Sequence, residues 1–174
     1  MKDWPIDRFL DQLRNYVKRK DRGALADLRR GFSKTTENRS WPYLTEWCDL
    51  RNRRERLIWQ TIAAGFTLME ATDTKAGNMG ATLRAIAMDG RRDRQEALKS
   101  FGGRFRRLLT CREAEEVCER LPGILRMAKQ KAKSVDFRQL FWDLMCWNSD
   151  KRDVRVEWAS TYWGISAGEK EAAP

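Results

Sequence analysis

Apolar residues recur along this chain at intervals of three and four, and no stretch alternates apolar with polar for long enough to make a strand. Ile6, Phe9, Leu10, Leu13 and Val17 form one such series, and Leu57, Ile58, Ile62, Phe66 and Met69 form a second. Phe101, Phe105, Leu108 and Leu109 make a third, followed by Val117, Leu121, Ile124, Leu125 and Ala128. Phe137, Leu140, Phe141, Leu144 and Met145, then Val154, Trp158 and Tyr162, complete the pattern. At about 100° per residue each series falls on one side of a helix, which is how a helix buries a stripe. The expected fold class is all-α, with about eight helices in two small bundles.

The residues between these series set the expected boundaries. Pro5 suits a first helical position behind a cap at Asp3 or Trp4, because its missing N–H would have had no partner there. Gly23 is expected to break the first helix, with a short second helix over 24–30. Gly31 and the polar stretch 33–40 then read as a connection, after which Pro42 starts another helix. The RNRRER run from Arg51 leads into a long helix expected at the centre of the first bundle. Gly77, Asn78 and Gly80 punctuate the next stretch, and Gly90 to Arg92 is the expected boundary between lobes 1–90 and 91–165. Pro122 should kink or divide its helix. Asp136 and Asp150 are the expected N-caps of the last two helices, and 166–174 reads as a frayed tail.

Charge narrows the function. The chain carries 35 Lys and Arg against 25 Asp and Glu, a formal +10. Gly90 divides this evenly, with 17 basic and 12 acidic residues before it and 18 and 13 after. The excess therefore belongs to folded surface and not to a tail. Between Lys99 and Arg112 stand five basic residues (Lys99, Arg104, Arg106, Arg107, Arg112) and no acidic one. Arg126, Lys129, Lys131 and Lys133 make a second acid-free run, in which Arg126, Lys129 and Lys133 fall within roughly 60° of arc. Lys151, Arg152 and Arg155 open the last helix. Fixed cations of this kind displace condensed counterions from a phosphate backbone whatever its base sequence. Binding of nucleic acid is the expected activity.

Catalysis is poorly provided for. The chain has no histidine, the side chain most often used for proton transfer near neutral pH. Its cysteines at 48, 111, 118 and 146 form no CxxC pair, so no zinc site and no other metal or cofactor is expected. Glu113 with Glu116, or Glu115 with Glu119, has the spacing of a carboxylate pair for Mg²⁺, but acidic residues in a first helical turn are favoured by the dipole alone. Glycine-rich phosphate loops are absent. The opening residues lack the apolar core of a signal peptide and no run of about 20 apolar residues follows, so a cytoplasmic protein with reduced thiols and no membrane contact is expected. Of eight tryptophans, Trp158 lies on an apolar stripe and reads as core, while Trp142, Trp147 and Trp163 are less clearly placed.

The segments ALADLRRG (24–31), GNMGATLRAIA (77–87), RFRRLL (104–109), VDFRQLFWDLMCW (135–147) and VRVEWASTYW (154–163) stand in this order. As a set they resemble the CasB family, the small subunit of the type I-E CRISPR interference complex called Cascade. The resemblance implies a non-catalytic helical subunit, present as two copies stacked head to tail, beside the CasC backbone and the CasA large subunit. It also implies a basic surface that holds the displaced non-target DNA strand and stabilises the R-loop, with guide RNA as a further partner. Matching positions are Arg30, Arg104, Arg107, Arg126, Lys151 and Arg152; the helical periodicity adds Arg112, Lys129 and Arg155. Two other classes fit a small basic helical chain. One is a sequence-specific helix-turn-helix regulator, although no helix opens on residues suited to base edges. The other is a nuclease built on a carboxylate pair and Mg²⁺.

Overall fold

A computed structural model describes residues 5–70 and 77–164. Among these residues the chain forms eight α-helices and three short 3-10 turns, without a strand. The helices are α1 (Pro5–Arg19), α2 (Arg22–Arg29), α3 (Arg53–Met69), α4 (Met79–Met88), α5 (Arg94–Leu109), α6 (Ala114–Gln130), α7 (Phe137–Met145) and α8 (Val154–Trp163). The 3-10 turns cover Arg30–Phe32, Glu37–Arg39 and Trp41–Tyr43. The expected all-α class is observed. The cap assigned to Asp3 or Trp4 and the tail 166–174 lie outside the described residues.

Side-chain caps set most starts. Asp21, Asn52, Asn78, Asp93, Asp136 and Asp153 each accept a backbone N–H from the first turn of the helix that follows, satisfying donors that have no intrahelical partner. This moves several expected boundaries. The first helix ends before Gly23, at the left-handed Lys20 (φ 54°), and Asp21 then starts α2, so Gly23 lies inside it. Asp153, not Asp150, caps α8. Pro42 starts no α-helix and sits in the 3-10 turn Trp41–Tyr43. Pro122 does not end α6, which runs through it; its ring removes one N–H from the helical ladder, leaving the Cys118 carbonyl without its i+4 donor.

Helix α3 is buried from Ile58 through Thr67 without a break. It presents more than the one face its periodicity suggested, because α1, α2, α6 and α7 all pack on it. A helix apolar on every side belongs inside a bundle. Helices α4, α5 and α8 pack on one another, and α4 also meets α6. Buried side chains from all eight helices belong to a single hydrophobic cluster. Gly80 lies inside α4 and permits its closest approach to α8. A Cβ there would fall 2.1 Å from the Trp158 carbonyl oxygen.

Candidate nucleic-acid interface

Phe105 and Leu108 point into the core from α5, so the positions between them face water. Arg104, Arg106 and Arg107 are all exposed, and Arg104 and Arg107, three apart, are neighbours on the helix surface. The Arg104 guanidinium lies 5.8 Å from the Phe101 ring centroid and 3.8 Å from Met127 Sδ on α6. Arg126, the residue before Met127, is exposed and lies 5.8 Å from the ring centroid of Phe32. Phe32 closes the 3-10 turn that begins with exposed Arg30. Arg104 thus reaches α6 beside Arg126, and Arg126 reaches the 3-10 turn that begins with Arg30, so contacts link the three elements that carry these arginines.

Lys129 stays on this side of α6, its Nζ donating to the Leu68 carbonyl at 2.7 Å. Lys131 and Lys133 differ. Both pair with Asp89, at 2.9 Å and 2.7 Å, so their charges are answered within the fold. The two lysines hold the Asp89 carboxyl below its ordinary value, Lys133 first.

A second group gathers around Cys111. The Cys111 carbonyl accepts from Arg155 Nη2 at 3.0 Å and from Trp147 Nε1 at 3.1 Å, and the Arg112 carbonyl accepts from Arg155 Nη2 at 3.0 Å. The Arg155 guanidinium also lies 4.9 Å from the Trp147 ring centroid. Arg107 is tied in through its own carbonyl, which accepts from the Cys111 thiol. Burial pushes the Cys111 thiol up, against the opposing pull of Arg120 beside it. Sequence reasoning missed Arg120, because the glutamates over 113–119 made that stretch read as an acidic helix face.

Arg152 does not join either group. Its guanidinium binds Asp143 at 2.7 Å and Glu157 through a bidentate contact. These partners raise its affinity for its proton, Glu157 first. Burial pushes the Asp143 carboxyl above the usual carboxylate range, although Trp158, Gln139 and Arg152 all donate to it. Arg152 is thus the counter-charge of a buried acid, and its donors are not offered to phosphate. Lys151 is exposed. Among the described residues Arg30, Arg104, Arg107, Arg112, Arg126, Lys129, Lys151 and Arg155 have no carboxylate within ion-pair distance.

The spaced glutamates do not converge. Glu113 accepts from Asn148, Glu116 from the Arg112 N–H, and Glu119 pairs with Lys34 and Arg53. Among the described residues no group of three or more His, Cys, Asp or Glu could hold a metal ion. No described helix is long and apolar enough to cross a membrane. Trp147 and Trp158 are core, at 1% and 0% exposure, whereas Trp163 is 38% exposed.

A family model described as CRISPR-associated protein Cse2 matches residues 24–163 of the chain. No curated protein matches it. Among solved structures, a Cse2-family CRISPR-associated protein from Thermus thermophilus superposes with a TM-score of 0.71 at 23% identity. That alignment covers 91% of this chain and 97% of the other, so the two share a fold along almost their whole length. With the match spanning α2 through α8 and the resemblance carried by the same segments, the chain belongs to the Cse2 family of CRISPR-associated proteins, the family also called CasB.

Proposed function

We propose that this protein is the small, non-catalytic subunit of a type I-E interference ribonucleoprotein, and that its exposed arginines hold the displaced non-target DNA strand. The observation that carries this reading is the pair of contacts, Arg104 with Met127 and Arg126 with Phe32, that links α5, α6 and the 3-10 turn bearing Arg30. Each of the three arginines presents a cation with no carboxylate beside it. Arg107, Arg112 and Lys129 continue the surface from these three, and Lys151 and Arg155 extend it beyond Arg112. Arg152 is left out, because it is spent on Asp143 and Glu157.

In this role the protein works in the cytoplasm beside the CasA large subunit and the CasC backbone, with a second copy stacked head to tail to lengthen the basic surface. Guide RNA lies within reach of the same assembly. No bond is made or broken by the subunit. Exchange of a DNA duplex for an RNA–DNA heteroduplex is nearly balanced, so sequence-blind contacts to the freed strand suffice to shift it.

Arg104→Glu combined with Arg126→Glu tests the surface. Two reversals on this surface should lower R-loop yield at least tenfold in a gel-shift or footprinting assay of the assembled complex. The helical circular dichroism signal should stay as it is. An R-loop yield equal to wild type, with the variant incorporated, refutes the surface.

A further inference from the structure

Helix α8 turns Val154, Trp158 and Tyr162 into the core, and Trp163, one position and about 100° further round, falls outside that stripe. It is 38% exposed, and with Val156 it makes up the large exposed hydrophobic residues among those described. Its setting is fixed. The ring centroid lies 5.0 Å from that of Phe105 and 5.0 Å from that of Tyr162, the latter ring nearly perpendicular at 86°. The Trp163 and Gly164 carbonyls accept from Arg94 Nη2 at 3.2 Å and 2.7 Å, which anchors the end of α8 to the start of α5. An indole held in this way loses little freedom when something packs against it.

A lone exposed apolar side chain needs no special account; the surroundings of this one give it a use. The Arg106 guanidinium lies 5.7 Å from a Trp163 ring centroid, and Lys99, Arg106 and Trp163 share the lining of an open cavity of about 290 Å³. Among the described residues neither Lys99 nor Arg106 has a carboxylate within ion-pair distance. Both belong to the acid-free run of α5, yet the surface through Arg104 and Arg107 leaves them unused. Phe105 is buried between two arginines that part around it, Arg104 toward α6 and Arg106 toward α8. At about 100° per residue Arg107 stands between them on the outer side of the helix. Lys99, Gly103 and Arg106 follow one another along the flank nearest Trp163, four and three residues apart. Gly103 is exposed, and a Cβ built there meets no atom within 4 Å. The fold's own packing therefore gives no reason for a glycine, which weakens a helix relative to alanine. Bare backbone between two cations lets a phosphate approach the helix closely.

Resting on the strand-binding reading above, we propose that the exposed part of the Trp163 indole stacks one base of the bound single strand while Lys99 and Arg106 take the phosphates beside it. An aromatic ring set among cations without counter-acids is the arrangement that holds single strands, and it accepts any base because every base has a π-face. The strand reaches this place by crossing the outer side of α5 from Arg104 over Arg107. That continuity, with the positive charge around the ring, selects a nucleic-acid strand as the occupant.

The test is fluorescence anisotropy of the full chain at low salt with a labelled 15-nucleotide dT strand and a matched strand of abasic sugar-phosphates. Wild type should bind the dT strand at least about fivefold more tightly, the effect of one stacked base. Trp163→Leu keeps an apolar side chain against Phe105 and Tyr162 but removes the stacking plane. It should lose that preference, hold its affinity for the abasic strand within twofold and keep the helical circular dichroism signal. Trp163→Tyr should retain the preference. Equal affinity of wild type for the two strands, or a preference that survives Trp163→Leu, overturns the stack and leaves the basic surface standing. A Trp163→Leu protein that binds both strands as wild type does but no longer enters the complex gives the ring to a protein neighbour, and also overturns the stack. Failure of wild type to bind either strand overturns both readings.

Discussion

Arg152 and Arg30 look alike in the sequence and do opposite things in the fold. Arg30 has no acid within reach, whereas Arg152 is the main charge partner of Asp143, a carboxylate with 0% exposure. Removing one member of a buried pair leaves the other uncompensated, at a cost of about 3 kcal/mol. Arg152→Ala should lower the unfolding free energy by that amount in urea titrations while changing single-strand affinity less than twofold. A stable Arg152→Ala protein with much weaker strand binding would return this residue to the interface. Sequence reasoning separated these arginines badly, because Asp143 is nine positions away on α7 while Arg152 lies in the connection before α8. It did better where the local pattern decides the outcome. The outward arginines of α5 follow directly from the burial of Phe105 and Leu108 between them.

At the scale of elements, local chemistry set the helix starts and tertiary contacts set what those helices do. Asp136 was legible as a cap because a polar residue precedes an apolar series. Asp153 was overlooked in favour of Asp150, since both stand before the same series and only the hydrogen bond to Val156 N–H distinguishes them. Pro122 and Gly80 read as breaks, yet both sit inside helices, and for Gly80 the close α8 backbone explains the residue. The Asp89 clasp was likewise invisible, its lysines lying beyond α6 and 42 or more residues away. It ties the end of α4 to the connection between α6 and α7. Because the folded carboxyl titrates below its ordinary 3.8, its contribution is complete above that pH. The contribution disappears as pH falls through the lower, folded value. The stability difference between wild type and Asp89→Asn, followed by urea unfolding, should be constant near neutrality and shrink as pH falls below 3.8 and through the lower value of the folded carboxyl. A difference that persists unchanged into strong acid would mean that the lysines do not hold this carboxylate.

For the whole molecule, the all-α class and the family were readable because helical spacing and the ordered segments extend over nearly the full chain. The contacts that link α5, α6 and the first 3-10 turn were not, since they run from Arg104 to Met127 and from Arg126 to Phe32, apolar residues on other elements. Six phosphate contacts, by Arg30, Arg104, Arg107, Arg112, Arg126 and Lys129, imply a slope near −4 for log K against log salt on a single strand, at about 0.7 per contact. Titrating affinity between low and physiological salt measures it. A slope shallower than −2 would mean that only a few of these cations meet phosphate.

The close crossing of α4 and α8 at Gly80 also bears on how the chain matures. Helices α4 and α5 leave the ribosome well before α8, the helix that supplies Trp158 and Tyr162 to their shared interior. Until that late segment is synthesised their oily sides have nothing to close against, and the nascent chain must keep them from sticking to other polypeptides.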